Sequence, residues 1–275
     1  MKAQISQFDK ISSIYFPVRL IETSQITGMV ANPECAKSVV ATIDNEDRIL
    51  ATCGDKYNLI SNEEVYAPIF QYLDSLNVEY NVSLNMRNFS RFEVKINIVD
   101  ERFAIEIENS DIIYPQISLN RSYDGGSKYN ASVGYFRLIC SNGLQIPYEG
   151  QESYSVSGKH TEKLSYTLEN IMGIIDKLLS NVKTYVKKYE VLTDKIVDNY
   201  GDRIAMVMEA TNIKKGHDEI VASVRTEAAK LGQNKITDWL IYNGINAHIF
   251  NNENNVKSDE VRKKIDQDVL QFMIK

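Results

Sequence analysis

At 275 residues, with 43% hydrophobic and 25% charged side chains, the chain has the composition of an ordinary globule able to build a core without staples. It has no run of about 18 apolar residues, and its start, MKAQISQFDK, lacks the apolar segment of a secretory signal, so no membrane span or export is expected and the cytoplasm is the predicted compartment. The net charge of −6 argues against a simple DNA-coating protein, and Cys35, Cys53 and Cys140, with no C-x-x-C pair, indicate buried thiols, not a disulfide framework or a zinc site.

In chain order, Ile5, Phe8, Ile11 and Tyr15 fall at steps that suit a short helix or a tail docking on another subunit, before Pro17 interrupts. Residues 39–43 and 49–53 read as strands flanking the polar turn Asp44-Asn45-Glu46-Asp47. Asn62 is the expected N-cap of a helix reaching about residue 76, with Glu63 and Glu64 in its first turn; Pro68 should kink it or mark its true start.

From residue 78 the apolar period drops to two. Val82, Leu84 and Met86 alternate with polar residues, as do Phe92, Val94, Ile96 and Ile98, then Phe103, Ile105 and Ile107. The short connections at 88–91 and 100–102 predict an antiparallel meander, continued by 113–119, with charged edge strands. Two turn signals, Asp124-Gly125-Gly126 and Asn142-Gly143, then bracket the run 129–140, and a last short run follows at 144–147. Ala131, Val133 and Tyr135 point to one face of this run; the parity change near Phe136 signals a bulge or a strand covered on both faces.

From Leu164 the period becomes helical, with apolar residues at 164, 168, 171, 175, 178, 182, 185, 189, 192 and 196. A helix over 162–200 would be about 55 Å long. Met172, Ile174, Leu179 and Val186 widen its stripe, which fits a helix lying across the sheet, or a self-associating coiled coil. Gly201 is the expected stop, followed by helices over 202–213, 218–231, 237–250 and 258–274. The fold class is therefore α+β: an antiparallel sheet of about six strands packed by one long helix, then a helical C-terminal part. The change of period divides the chain near 1–155 and 156–275, unless it forms one continuous domain.

No residue set demands catalysis. Asp124, Cys140 and His160 could be assembled into a triad, but each has an ordinary structural role at its position. His160, His217 and His248 have no partner at metal-ligand spacing, and Gly125-Gly126 is not part of a phosphate-binding loop, so neither metal nor cofactor is expected. Arg121, Tyr123, Lys128, Tyr129, Tyr135, Arg137, Lys159 and His160 interleave cations with rings, the mixture that holds single-stranded nucleic acid; a core strand with solvated charges is the alternative.

The run Arg121-Ser-Tyr-Asp-Gly-Gly-Ser, then Gly134-Tyr-Phe-Arg-Leu-Ile-Cys-Ser-Asn-Gly-Leu144 and Lys159-His160-Thr161, resembles the signature of the phage- and plasmid-borne family known as domain of unknown function 932. Looser similarity extends to Cys53-Gly-Asp-Lys-Tyr-Asn-Leu-Ile-Ser-Asn62 and Trp239-Leu-Ile-Tyr-Asn243. The resemblance implies a mobile-element origin and no particular reaction. A sheet followed by a long helix is also the outline of ring-forming single-strand annealing proteins of phages.

Two roles follow as expectations. The first is a non-enzymatic, homo-oligomeric protein that binds nucleic acid, single-stranded DNA included. The second is a mobile-element factor that meets a host defence or replication protein: residues 1–150 hold 13 Lys and Arg against 19 Asp and Glu, which repels DNA, and the long apolar stripe calls for a partner. An unrecognised hydrolase comes third and would need a cleft joining His160 to Cys140 or to a carboxylate.

Overall fold

The computed structural model describes residues 11–29, 32–108, 111–126, 129–137, 155–158, 164–251 and 259–275. The chain forms two compact units from interleaved segments. One holds Met1–Val99, Gln116–Val133 and Glu152–Lys177; the other holds Asp100–Pro115, Gly134–Gln151 and Leu178–Lys275.

The first unit opens with a three-stranded antiparallel sheet of β1 (Val18–Glu22), β2 (Lys37–Ile43) and β3 (Glu46–Cys53), with β2 in the middle. Val39, Val40, Ala41 and Ile43 bury on β2. Asp44 and Asn45 take φ 53° and 64°, the primed hairpin turn whose twist matches the strands, so the turn is shorter than the four polar residues suggest. A short helix, α1 (Thr23–Thr27), lies between β1 and β2.

Helix α2 (Asn62–Ser75) starts one residue earlier than its sequence indicates. Ser61, not Asn62, is the N-cap: its hydroxyl accepts from the Glu64 N–H, and the Glu64 carboxylate accepts from the Ser61 N–H, so two orphan donors are satisfied at once. Asn62 instead turns inward and donates to the Ile14 carbonyl at 2.9 Å. Pro68 stays inside the helix, whose buried stripe is Val65, Tyr66, Ile69 and Leu73.

The larger sheet has six strands. β4 (Tyr80–Arg87), β5 (Arg91–Ile98), β7 (Asp111–Ser122), β8 (Tyr129–Arg137) and β9 (Ser155–Gly158) lie in that order, and β6 (Ile105–Glu108) pairs with β7. The expected hairpin at residues 100–102 is therefore a 3-10 turn, Glu101–Phe103, that carries the chain past β5. β5 buries Phe92, Val94, Ile96 and Ile98, the alternation read from the sequence. On β8, residues 134 to 137 are all buried, so the parity change marks a strand covered on both faces. The run at 144–147 lies outside the described residues.

Helix α3 (Leu164–Thr193) is about 45 Å long, shorter than expected because it ends at Thr193. Ile171, Ile175, Leu178, Tyr189 and Leu192 of its seam are buried within this one chain. In the first unit Asp176 accepts from the Tyr72 hydroxyl; in the second, the Tyr189 ring meets Trp239 edge-on at 5.4 Å. A coiled-coil partner is not needed to cover those five positions.

The second unit is mainly helical: α4 (Tyr200–Ala210), α5 (His217–Lys230), α6 (Asp238–Asn251) and α7 (Asp259–Ile274). Gly201 falls inside α4, which Asn199 caps. Every residue from Thr237 to Asn246 is buried, because α6 has no polar face and packs against α4, α5 and α7. No described helix is long and apolar enough to cross a membrane.

Candidate functional site

The described part of the cation-and-ring strip does not open to solvent. Arg121, Tyr123, Tyr129, Tyr135 and Arg137 are each at most 7% exposed. Strand geometry explains why: they sit on β7, on β8 and in the bend after β7, in the middle of a sheet whose strands are covered, and a long side chain there finds partners inside. Lys128, Lys159 and His160 lie outside the described residues, as do Cys140, Asn142 and Gly143.

In the first unit, Arg121 pairs in register with Phe92 near the end of β7. Its Nη1 donates to the Ser61 carbonyl at 2.8 Å and its Nη2 to the Ile60 carbonyl at 2.6 Å, while its guanidinium carbon lies 4.8 Å from the Tyr123 ring centre. No carboxylate comes within salt-bridge distance of it among the described residues. Carbonyl dipoles and a ring face therefore hold this buried cation, and it pins the segment that leads into α2.

Tyr123 completes the arrangement. Its hydroxyl accepts from the Asn62 N–H at 2.9 Å, and the Tyr57 hydroxyl donates to the Tyr123 carbonyl at 3.3 Å. Burial raises the phenols of Tyr66, Tyr123 and Tyr129 above their ordinary range and Tyr57 up to about 12, against the lowering influence of Arg121. These phenols stay neutral at physiological pH.

The bend after β7 is a tied turn. Arg91 Nε donates to Asp124 at 2.7 Å, the Gly126 N–H donates to Asp124 at 2.8 Å, and Gly125 takes φ 68°. Burial pushes the Asp124 carboxyl up, but Arg91 and the Gly126 N–H outweigh it and hold the group below the usual carboxylate range. Asp124 is thus engaged in structure, not poised as a base.

In the second unit, Arg137 is the centre of a buried charge cluster that sequence reasoning missed. Its Nε donates to Asp111 at 2.9 Å, its Nη1 to Glu227 at 2.6 Å, and its Nη2 lies 2.6 Å from Asp111 Oδ2 in a charge contact without hydrogen-bond alignment. Trp239 donates its indole N–H to the same carboxylate at 2.7 Å, and the guanidinium lies 5.7 Å from its ring. Burial lowers the Arg137 pKa, but the two carboxylates more than offset this and hold it above the ordinary value. A cation already gripped on both sides cannot bind phosphate without breaking the core.

A second buried acid lies in the same unit. Asp266 of α7 is fully buried and accepts from the Tyr242 hydroxyl at 3.1 Å and from Asn246 at 2.8 Å. Burial drives its pKa up to about 7 against the lowering effect of those two donors.

Cys35 is exposed and Cys53 half-buried, contrary to the expectation of buried thiols; burial pushes the Cys53 thiol up, away from reactivity. Among the described residues no group of His, Cys, Asp and Glu could hold a metal ion.

A family model described as a domain of unknown function (DUF932) matches residues 49–270. No solved structure matches the chain.

Proposed function

We propose that this chain, which belongs to the DUF932 family, is a non-enzymatic protein-interaction factor of a phage or plasmid, working in the host cytoplasm on a host defence or replication component. The observation that carries the reading is the inward orientation of Arg121, Tyr123, Tyr129 and Arg137, which spends on the core the groups a nucleic acid would need. Three cations on the surface of the first unit point the same way. Arg19 pairs with Asp47, Arg48 with Glu46 and Arg91 with Asp124, so phosphate would have to displace a carboxylate at each of these. Apolar side chains, by contrast, stay outside: Met206 on α4 and Val261 on α7, two helices in contact, are 55% and 45% exposed.

Nucleic-acid binding by a homo-oligomer remains the competing proposal, and it would have to act through Lys128, Lys159 and His160 with other surface residues. One experiment separates the two. Tagged protein is recovered from host extract after nuclease treatment, and any co-purifying protein is purified and remixed. A complex of fixed stoichiometry by light scattering supports the interaction reading. Binding of an oligonucleotide that weakens steeply with salt, with no reconstituted protein complex, overturns it.

A further inference from the structure

Among the described residues β4 is an end strand of the larger sheet, and it lacks the protection that the other end strands carry. β9 is four residues long, β1 is five residues long and carries Arg19 and Glu22, and β3 opens with Glu46, Asp47 and Arg48 beside a register shift in its pairing. β4 is eight residues long, Tyr-Asn-Val-Ser-Leu-Asn-Met-Arg, with one charge at its end, no proline and an unbroken register with β5.

The phase of its open side follows from one hydrogen bond. Val99 N–H donates to the Glu79 carbonyl at 2.8 Å, which makes 79 and 99 a hydrogen-bonded pair. Along the continuing register, residues 81, 83 and 85 also bond to β5, while Tyr80, Val82, Leu84 and Met86 turn their N–H and C=O groups to the open side. None of those four residues has a backbone partner on that side among the described residues.

The strand is complementary to itself in one antiparallel register. With Ser83 on the two-fold axis, Val82 faces Leu84 of a second copy, Tyr80 faces Met86, and Asn81 faces Asn85. Apolar side chains then meet on the face where Val82 is buried, and amides meet on the other. The same register sets exposed Glu79 opposite exposed Arg87 at both ends. Sliding by one pair in either direction puts Asn77 or Asn81 opposite Arg87 and loses both charge pairs.

We infer that β4 is a homodimerisation edge: two copies of this chain pair antiparallel through Tyr80–Arg87, with Ser83 on the two-fold axis and Glu79 of each copy facing Arg87 of the other. About eight backbone hydrogen bonds form, and the two six-stranded sheets become one continuous sheet. Which partner or ligand the chain binds elsewhere does not enter this inference.

The test uses the full chain in sedimentation and light scattering over a concentration series. The wild type should reach twice the chain mass of 31.4 kDa. Arg87→Glu places like charges together at both ends and should weaken the dimer by about tenfold or more, and Glu79→Arg combined with Arg87→Glu should restore it to within about threefold. Met86→Pro removes a donor from the open side only and should also weaken dimerisation, with the Trp239 emission of a folded protein retained. A wild type that stays monomeric overturns the inference. So does a dimer indifferent to Arg87→Glu and Met86→Pro, or a double swap that fails to recover.

Discussion

Trp239 donates its indole N–H to Asp111 across 128 positions of sequence, and that carboxylate is the one that also grips Arg137. Three segments of the second unit, the start of β7, the end of β8 and α6, are fastened at this point, and α5 joins through Glu227. Because Trp239 is the single tryptophan, its emission reports the cluster directly.

The cluster holds one guanidinium between two carboxylates, and that stoichiometry ranks its variants. Asp111→Asn keeps one carboxylate on Arg137 and preserves a carbonyl oxygen for the indole. Arg137→Met takes the cation from between two buried carboxylates. Breaking a buried pair by removing one partner costs about 3–5 kcal/mol, so Arg137→Met should be the more damaging of the two. Urea unfolding followed by tryptophan emission measures both; equal losses, or a greater loss in Asp111→Asn, would show that the two carboxylates do not depend on Arg137.

Arg121 differs because no carboxylate among the described residues lies within salt-bridge distance of it. Methionine at 121 gives up two hydrogen bonds to the Ile60 and Ser61 carbonyls but also removes a buried cation, so the two effects partly cancel. Lysine keeps the charge, lacks the planar fork that reaches two carbonyls at once, and gains no carboxylate. The expected order of stability is wild type, then Arg121→Met, then Arg121→Lys. If lysine proves milder than methionine in denaturant titrations, charge at this position matters more than the fork.

Local pattern revealed the elements, and it failed where pairing or burial depends on distant segments. The alternation in β4 and β5 and the seam of α3 were legible because each residue's side is set by its own strand or helix. β1 was missed because five residues after a proline carry too little period to register. β6 was assigned to β5 by proximity in sequence, yet it pairs with β7, a choice no local signal encodes. The Ser61 cap was within reach, since Ser61 and Glu64 have the capping-box spacing, but Asn62 drew attention by residue type. The site reading failed for a different reason. An Arg beside a Tyr has the same letters whether it faces water or core, and the partners that decide it, Ser61 for Arg121 and Glu227 for Arg137, lie 60 and 90 positions away.

Asp266 gives the second unit a pH dependence of known sign. Its folded-state pKa of about 7 lies above its ordinary 3.8, so the folded protein holds the proton more tightly than the unfolded chain does. Its contribution to stability is therefore full below about pH 4 and is lost as pH rises towards and through 7, a change of up to a few kcal/mol. Asp266→Asn has no proton to lose and should flatten this part of the profile. Unfolding free energies between pH 5 and pH 8 test it; a wild type whose stability rises across that window, or a variant with the same slope, would rule the assignment out.

Two helical glycines separate backbone propensity from packing. Gly173 of α3 is exposed, and a Cβ there would meet nothing within 4 Å. Alanine removes conformational freedom from the unfolded chain at no steric cost, so Gly173→Ala should stabilise by about 0.5–1 kcal/mol. Gly244 of the central helix α6 faces α5 at close range: a Cβ would sit 2.6 Å from Val224 Cγ2 and 3.3 Å from the Ile220 carbonyl oxygen. The methyl of Val224 can rotate aside, but the carbonyl belongs to the α5 backbone and cannot move without shifting the helix. Overpacking of this kind costs about 1–3 kcal/mol and should exceed the gain of about 1 kcal/mol in helix propensity. Gly244→Ala should therefore destabilise while Gly173→Ala stabilises, and thermal melts of the two variants, run side by side, decide it. A rise in melting temperature for Gly244→Ala would mean that α5 and α6 can part without loss, so their close contact would not be what fixes the helical unit.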